Sequence, residues 1–207
     1  MSKRKRFIIT SAVLSLGFVL IQFLDNQFRF LAIGILGALT VILFAWSLWE
    51  GLGKDMTLVS LVLPFLFTLG VGLFWFLLPS SILARLPVVI LYAIGIYVLV
   101  STSNVYTVAA IRTIPLLRTA RGVGFVLTLL TSFLISDTIL SFKVPVYITS
   151  IAVFVSSFPL LLQGLWAIPL DKKIDKDLFL MALIFSLIMT EISLGLFFWP
   201  VTIVVGS

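Results

Sequence analysis

Residues 86–110 read LPVVILYAIGIYVLVSTSNVYTVAA, twenty-five positions without a charged side chain. About 20 apolar residues are enough to carry a helix across the ~30 Å hydrocarbon layer of a bilayer at ~1.5 Å per residue. The apolar side chains come in a continuous run, whereas a membrane β-barrel alternates apolar and polar positions over segments of about ten residues. This stretch therefore predicts a membrane-crossing helix, and it sets the criterion for the rest of the chain.

Applied outward, the same criterion cuts six further spans: Phe7 to Leu24, Phe30 to Trp49, Met56 to Leu78, Gly122 to Ser141, Val144 to Leu170 and Leu178 to Trp199. The expected fold is all-α, a polytopic membrane helix bundle of about seven helices forming one transmembrane domain over residues 1–207. Pro64 and Pro159 fall inside spans, where they are expected to kink a helix, while Pro87 and Pro145 are expected at a first turn, where no amide donor is lost. Composition agrees. Of 207 residues 61% are hydrophobic and 11% charged, with a mean hydropathy of +1.28, against about 45–50% apolar and about 25% charged in soluble domains. Charge so sparse cannot cover the surface in water, so lipid must cover it.

The missing residue types narrow the chemistry. The chain has no Cys and no His, which excludes disulfides, thiolate metal sites, bis-imidazole haem, His-based zinc sites and Ser-His dyads. No cofactor and no metal are expected. The sequence carries no Walker motif, no Gly-rich nucleotide loop and no paired-aspartate loop, and the loops are too short for a soluble catalytic domain.

Charge gives the orientation. With alternate loops on opposite sides, one side receives Lys3, Arg4, Lys5, Arg6, Lys54, Arg112, Arg118, Arg121, Lys172, Lys173 and Lys176, and the other receives only Arg29, Arg85 and Lys143. This eleven-to-three division predicts a cytoplasmic amino terminus and an external carboxyl end in the cell membrane. Trp46, Trp49 and Trp166 fall near the inner interface on this ladder, and Trp75 and Trp199 near the outer one. The net charge of +6 is thus a consequence of topology, and nucleic acid is not an expected partner. Asp25-Asn26-Gln27 stands where small residues would mark signal cleavage, so the first apolar run is read as a retained helix.

Two stretches resemble each other. Lys54-Asp55 opens the third span and Gly72-Leu73-Phe74-Trp75 closes it, while Lys176-Asp177 opens the seventh and Gly195-Leu196-Phe197-Phe198-Trp199-Pro200 closes it. A parallel internal repeat would relate spans one to three to spans five to seven, with halves 1–111 and 112–207. The alternative is chance, because Gly, Leu, Phe and Trp are common in membrane helices. The run Val201 to Ser207 lacks a polar tail and fits either a loop leading to an eighth helix or an external end.

Polar side chains inside the spans are the pointers to function, since a charge at the centre of a membrane helix costs at least ~2.5–3.5 kcal/mol. Glu191 lies 13 residues after Leu178 and eight before Trp199, and Asp137 lies nearer an end. They are read either as a proton- or cation-binding site or as bland residues, Glu191 a neutral acid that hydrogen-bonds a neighbouring helix and Asp137 an interfacial residue that extends toward water. Gln163 follows Pro159, where a broken helix would free carbonyls. Asn104 ends the Ser101-Thr102-Ser103-Asn104 cluster in the fourth span. Arg112, Arg118 and Arg121 surround Pro115 and suit anionic lipid headgroups, although the charge bias alone also accounts for them. Gly34-x-x-x-Ala38 carries the small-residue spacing of a close helix contact.

Three function classes fit: a small transport or solute-binding membrane protein, a non-catalytic membrane subunit or scaffold, and an intramembrane enzyme modifying lipid through Asp137 and Glu191. The expected partners are membrane lipids and either another membrane protein or a second copy of the chain. A cavity reaching the polar residues separates the first and third classes from the second.

Overall fold

A computed structural model describes residues 3–49, 58–79, 81–109, 115–170 and 174–198. The described elements are α1 (Lys3–Ile21), α2 (Asn26–Ser47), a 3-10 turn (Leu58–Leu61) leading into α3 (Val62–Phe74), a second 3-10 turn (Trp75–Leu77), α4 (Ile82–Ala109), α5 (Leu116–Ser141), α6 (Val146–Trp166) and α7 (Lys176–Phe198). The fold is an all-α helix bundle. Six of its helices are long and apolar enough to cross a membrane, within Gln27–Ser47, Val59–Leu77, Leu83–Ala109, Leu116–Ser141, Val146–Trp166 and Lys176–Phe198. Together they make this a multi-pass membrane protein.

The first span is shorter than its composition suggested. The helix stops at Ile21, and the amides of Gln22, Phe23 and Leu24 close into turns by donating hydrogen bonds to the carbonyls of Val19, Leu20 and Ile21 at 3.1, 3.1 and 3.2 Å. Arg29 caps this end: its Nε donates to the Leu24 carbonyl at 2.7 Å and its Nη2 donates to the Gln22 carbonyl at 3.1 Å. Carbonyls that a longer helix would satisfy internally are satisfied by a guanidinium instead. The apolar part of α1, from Phe7 to Ile21, is then roughly 22 Å long, headed by four basic side chains. It still belongs to the bundle, since Phe7, Leu14 and Phe18 are buried and the Ser11 hydroxyl donates to the Ala93 carbonyl of α4 at 2.8 Å.

The centre of the bundle is α3. The window Val59–Leu77 is 61% buried inside the protein, whereas that of α7 is 17% buried. The α3 helix packs against α2, α4, α5 and α6, while α7 lies at the rim against α6 with a minor contact to α5. Buried rings from three helices form a column. Phe18 stacks on Tyr92 at 4.6 Å between centroids, Tyr92 on Phe67 at 6.0 Å, and Trp75 meets Phe18 edge-on at 5.5 Å. Offset-stacked and edge-to-face pairs each add about 0.5–1.5 kcal/mol beyond their buried area. Gly95 makes the column fit, for a Cβ there would lie 2.4 Å from the Phe67 ring. Beside the rings, the buried Thr40 and Thr68 hydroxyls lie 3.1 Å apart, and Thr68 lies 3.3 Å from the Tyr92 hydroxyl.

Several sequence expectations change here. Pro87 is the sixth residue of α4 and not in its first turn, because the helix begins at Ile82 with Ala84 N–H donating to Ser81 O at 3.2 Å. The helix therefore loses one interior donor, the bond to Leu83. Pro64, expected to kink a helix, is the third residue of α3, close to where the 3-10 turn passes into the α-helix, and its carbonyl accepts the Thr68 hydroxyl at 3.0 Å. Pro145 stands just ahead of α6 and Pro159 inside it. Gly34 and Ala38 face outward, and Gly37 is the close contact of α2, 3.0 Å from the Phe65 ring as measured from its Cβ position. Trp75 and Trp166 are buried in the bundle, whereas Trp46 and Trp49 are exposed. Lys54-Asp55, Trp199 and Pro200, which carry part of the repeat, lie outside the described residues. Their helices α3 and α7 occupy unlike places, one central and one at the rim.

Candidate functional site

Arg121 stands in the second turn of α5, where the helix passes the end of α6. Because α6 finishes at Trp166, the carbonyls that follow have no helical donor. Arg121 fills the gap, with Nε donating to Ala167 O at 3.2 Å and Nη2 donating to Ile168 O. A cation at a helix carboxyl end also opposes the negative end of its dipole. Three N–H groups of the guanidinium remain for other acceptors.

One helical turn further along α5, Gly124 lies buried under Tyr106 of α4. The Tyr106 hydroxyl donates to Ala120 O at 3.0 Å, and a Cβ on Gly124 would lie 2.3 Å from that oxygen. Another turn along is Thr128, whose hydroxyl donates to Gly124 O at 2.9 Å. Across from these residues, α6 contributes Gln163 and Gly164.

The side chains enclose a cavity of about 200 Å³ lined by Tyr106, Arg121, Gly124, Phe125, Thr128, Gln163, Gly164, Ala167 and Ile168. Gln163 is only 3% exposed, and its Oε1 is buried with no hydrogen-bond partner among the described residues. An unsatisfied buried acceptor costs about 1–3 kcal/mol, so a group that donates into this space is favoured there. The cavity is thus lined by a cation and by an amide whose acceptor is unpaired, which suits a small polar molecule carrying both an acceptor and a donor.

Gln163 and Arg121 are the two residues singled out from sequence that the fold brings together. Glu191 is exposed on the outward face of α7, away from this cavity. Asp137 is half-buried near the opposite end of α5, and Asn104 is half-buried two residues before Tyr106 without lining the cavity. Arg118 is exposed in the first turn of α5, and Arg112 lies outside the described residues. Sequence reasoning missed Tyr106, Gly124 and Thr128. The signal for the last two was their spacing from Arg121, three and seven residues on, which puts all three on one helix face.

A second recess, purely apolar and about 310 Å³, lies between α4 and α5 against Phe67, Leu91 and Leu127. Among the described residues no group of three or more Asp and Glu side chains stands close enough to hold a metal ion. No known family matches the chain, and no curated protein and no solved structure was found similar to it.

Proposed function

We propose that this multi-pass membrane protein is a solute-binding protein of the transport class, and that it takes a small polar solute into the cavity between α4, α5 and α6. The observation that carries the reading is that Arg121 and the buried Gln163, whose Oε1 has no hydrogen-bond partner among the described residues, line one cavity. Arg121 receives the anionic or acceptor end of the solute through its remaining N–H groups, and Gln163 receives the donor end. Amino acids and small hydroxycarboxylates have this pairing and this size. The test is a thermal-shift series on the purified protein in neutral detergent against amino acids, small carboxylates and phosphate esters. A ligand should raise the melting temperature of the wild type, and Gln163→Leu should abolish that rise. If no solute shifts the wild type and Gln163→Leu alone stabilises it, the cavity is a packing defect and the reading fails.

The subunit or scaffold reading has one observation of its own. Glu191 lies among Ile184, Leu187, Ile188 and Ile192 on the exposed face of α7, and that helix is the least buried of the six spans. A carboxyl group presented to lipid costs ~2.5–3.5 kcal/mol on insertion scales, a cost that a second copy packed against α7 relieves through hydrogen bonding. On the charge ladder, the orientation of either assembly has the amino terminus in the cytoplasm.

A further inference from the structure

At the end of the bundle away from the basic amino terminus, the first turns of α2 and of α4 bring two arginines to one place. Arg29 and Arg85 line a recess of about 380 Å³ together with Phe30, Trp75 and Phe76. Both side chains are half-buried. Each is held by backbone carbonyls: Arg29 by Leu24 and Gln22, and Arg85 by Pro79, to which its Nε donates at 3.1 Å. The Arg85 guanidinium carbon also stands 5.0 Å from the centroid of the Trp75 ring, a cation–π contact. Phe30 and Phe76, stacked at 4.3 Å, supply an apolar wall.

What the recess lacks is a counter-charge. Among the described residues no carboxylate pairs with either arginine, and the carbonyls that hold them take up only part of their five donors each. Trp75 is 4% exposed, and its indole N–H is buried without an acceptor. Two guanidiniums lining one recess repel each other. An anion with several oxygens removes that repulsion and accepts from both forks.

We infer that the Arg29–Arg85–Trp75 recess is a binding site for a phosphate-type oxyanion, independent of the cavity at Gln163. A phospholipid headgroup and free inorganic phosphate share the chemistry, and the aromatic wall accommodates the glycerol and upper acyl part of a lipid. The experiment uses the purified full-length chain in neutral detergent, with retained phosphatidylglycerol read by native mass spectrometry and with inorganic phosphate added as competitor. The wild type should retain the lipid, and Arg29→Gln or Arg85→Gln should each weaken retention on the order of tenfold. Lys143→Gln, which removes a cation at the same end of the bundle but outside the recess, should leave retention unchanged.

Displacement of the lipid by millimolar inorganic phosphate assigns the site to the free anion, and retention against phosphate assigns it to the lipid. Both outcomes uphold an oxyanion site. The inference is overturned if the wild type retains neither probe, if Lys143→Gln weakens retention as much as the two arginine variants do, or if those variants keep the wild-type melting temperature and still bind. Should a glutamine variant fail to fold, Arg29→Lys keeps the charge while losing the fork, and undiminished lipid retention in that variant overturns two-fork recognition.

Discussion

The Tyr106 hydroxyl of α4 rests directly over the Cα of Gly124 in α5, at a separation that leaves no room for even a methyl group, with 2.3 Å between the oxygen and the position of a Cβ. That contact brings the hydroxyl to Ala120 O and shapes the wall of the cavity that Arg121 and Gln163 also line.

Gly124→Ala should therefore displace Tyr106, break its bond to Ala120 and cost about 1–3 kcal/mol of stability. Tyr106→Phe removes the oxygen and keeps the ring, at about 0.5–1.5 kcal/mol. Combined, the two changes should cost less than their sum, because the alanine methyl then meets no hydroxyl. Thermal or denaturant unfolding of the four proteins in detergent measures this coupling, and strict additivity would contradict the contact.

The aromatic column makes a parallel prediction. Gly95→Ala drives a methyl group into the Phe67 ring, 2.4 Å away, and overpacking of this kind costs about 1–3 kcal/mol. Phe67→Leu alone should also destabilise, yet it should lessen the penalty of Gly95→Ala by vacating the space that the methyl enters. A Gly95→Ala protein as stable as the wild type would show that the two helices separate freely there.

Glu191 is exposed on α7, with no hydrogen-bond partner for its side chain among the described residues. Glu191→Leu should leave the melting temperature of the isolated protein in detergent nearly unchanged, within about 0.5 kcal/mol. If a second copy covers α7 in the membrane, Ile188→Cys in this cysteine-free chain should form a disulfide-linked dimer that Glu191→Leu diminishes. A monomer under oxidising conditions, with either residue at 191, sets the scaffold reading aside.

The eleven-to-three distribution of cations predicts the side on which each loop is found. An impermeant thiol reagent should label Lys143→Cys in intact cells and should label Lys173→Cys only after the membrane is opened. Labelling of position 173 in intact cells inverts the topology.

The sequence by itself determined the class of the protein. Residues 86–110 and the other uncharged runs have no stable state in water, so the hydrophobic effect and the need to satisfy every backbone group dictate apolar helices whatever their neighbours do. It also bounded most helices to within a few residues, since the runs end where charge and turn-forming residues begin. The shortening of α1 was not legible, nor was the capping of its end by Arg29, which folds back onto carbonyls five and seven residues earlier. The same limit governed the site. Nearly every side chain in a span is apolar, so composition cannot tell the face that meets lipid from the face that meets protein. Depth along the helix therefore favoured Glu191, which the bundle leaves on its outside, over Gln163, which it encloses. Only tertiary packing decided which of these polar groups share a space, because their meeting depends on the rotation of α4, α5 and α6 about their axes. That rotation is set by close contacts such as Gly124 with Tyr106 and Gly95 with Phe67, which join residues far apart in the chain.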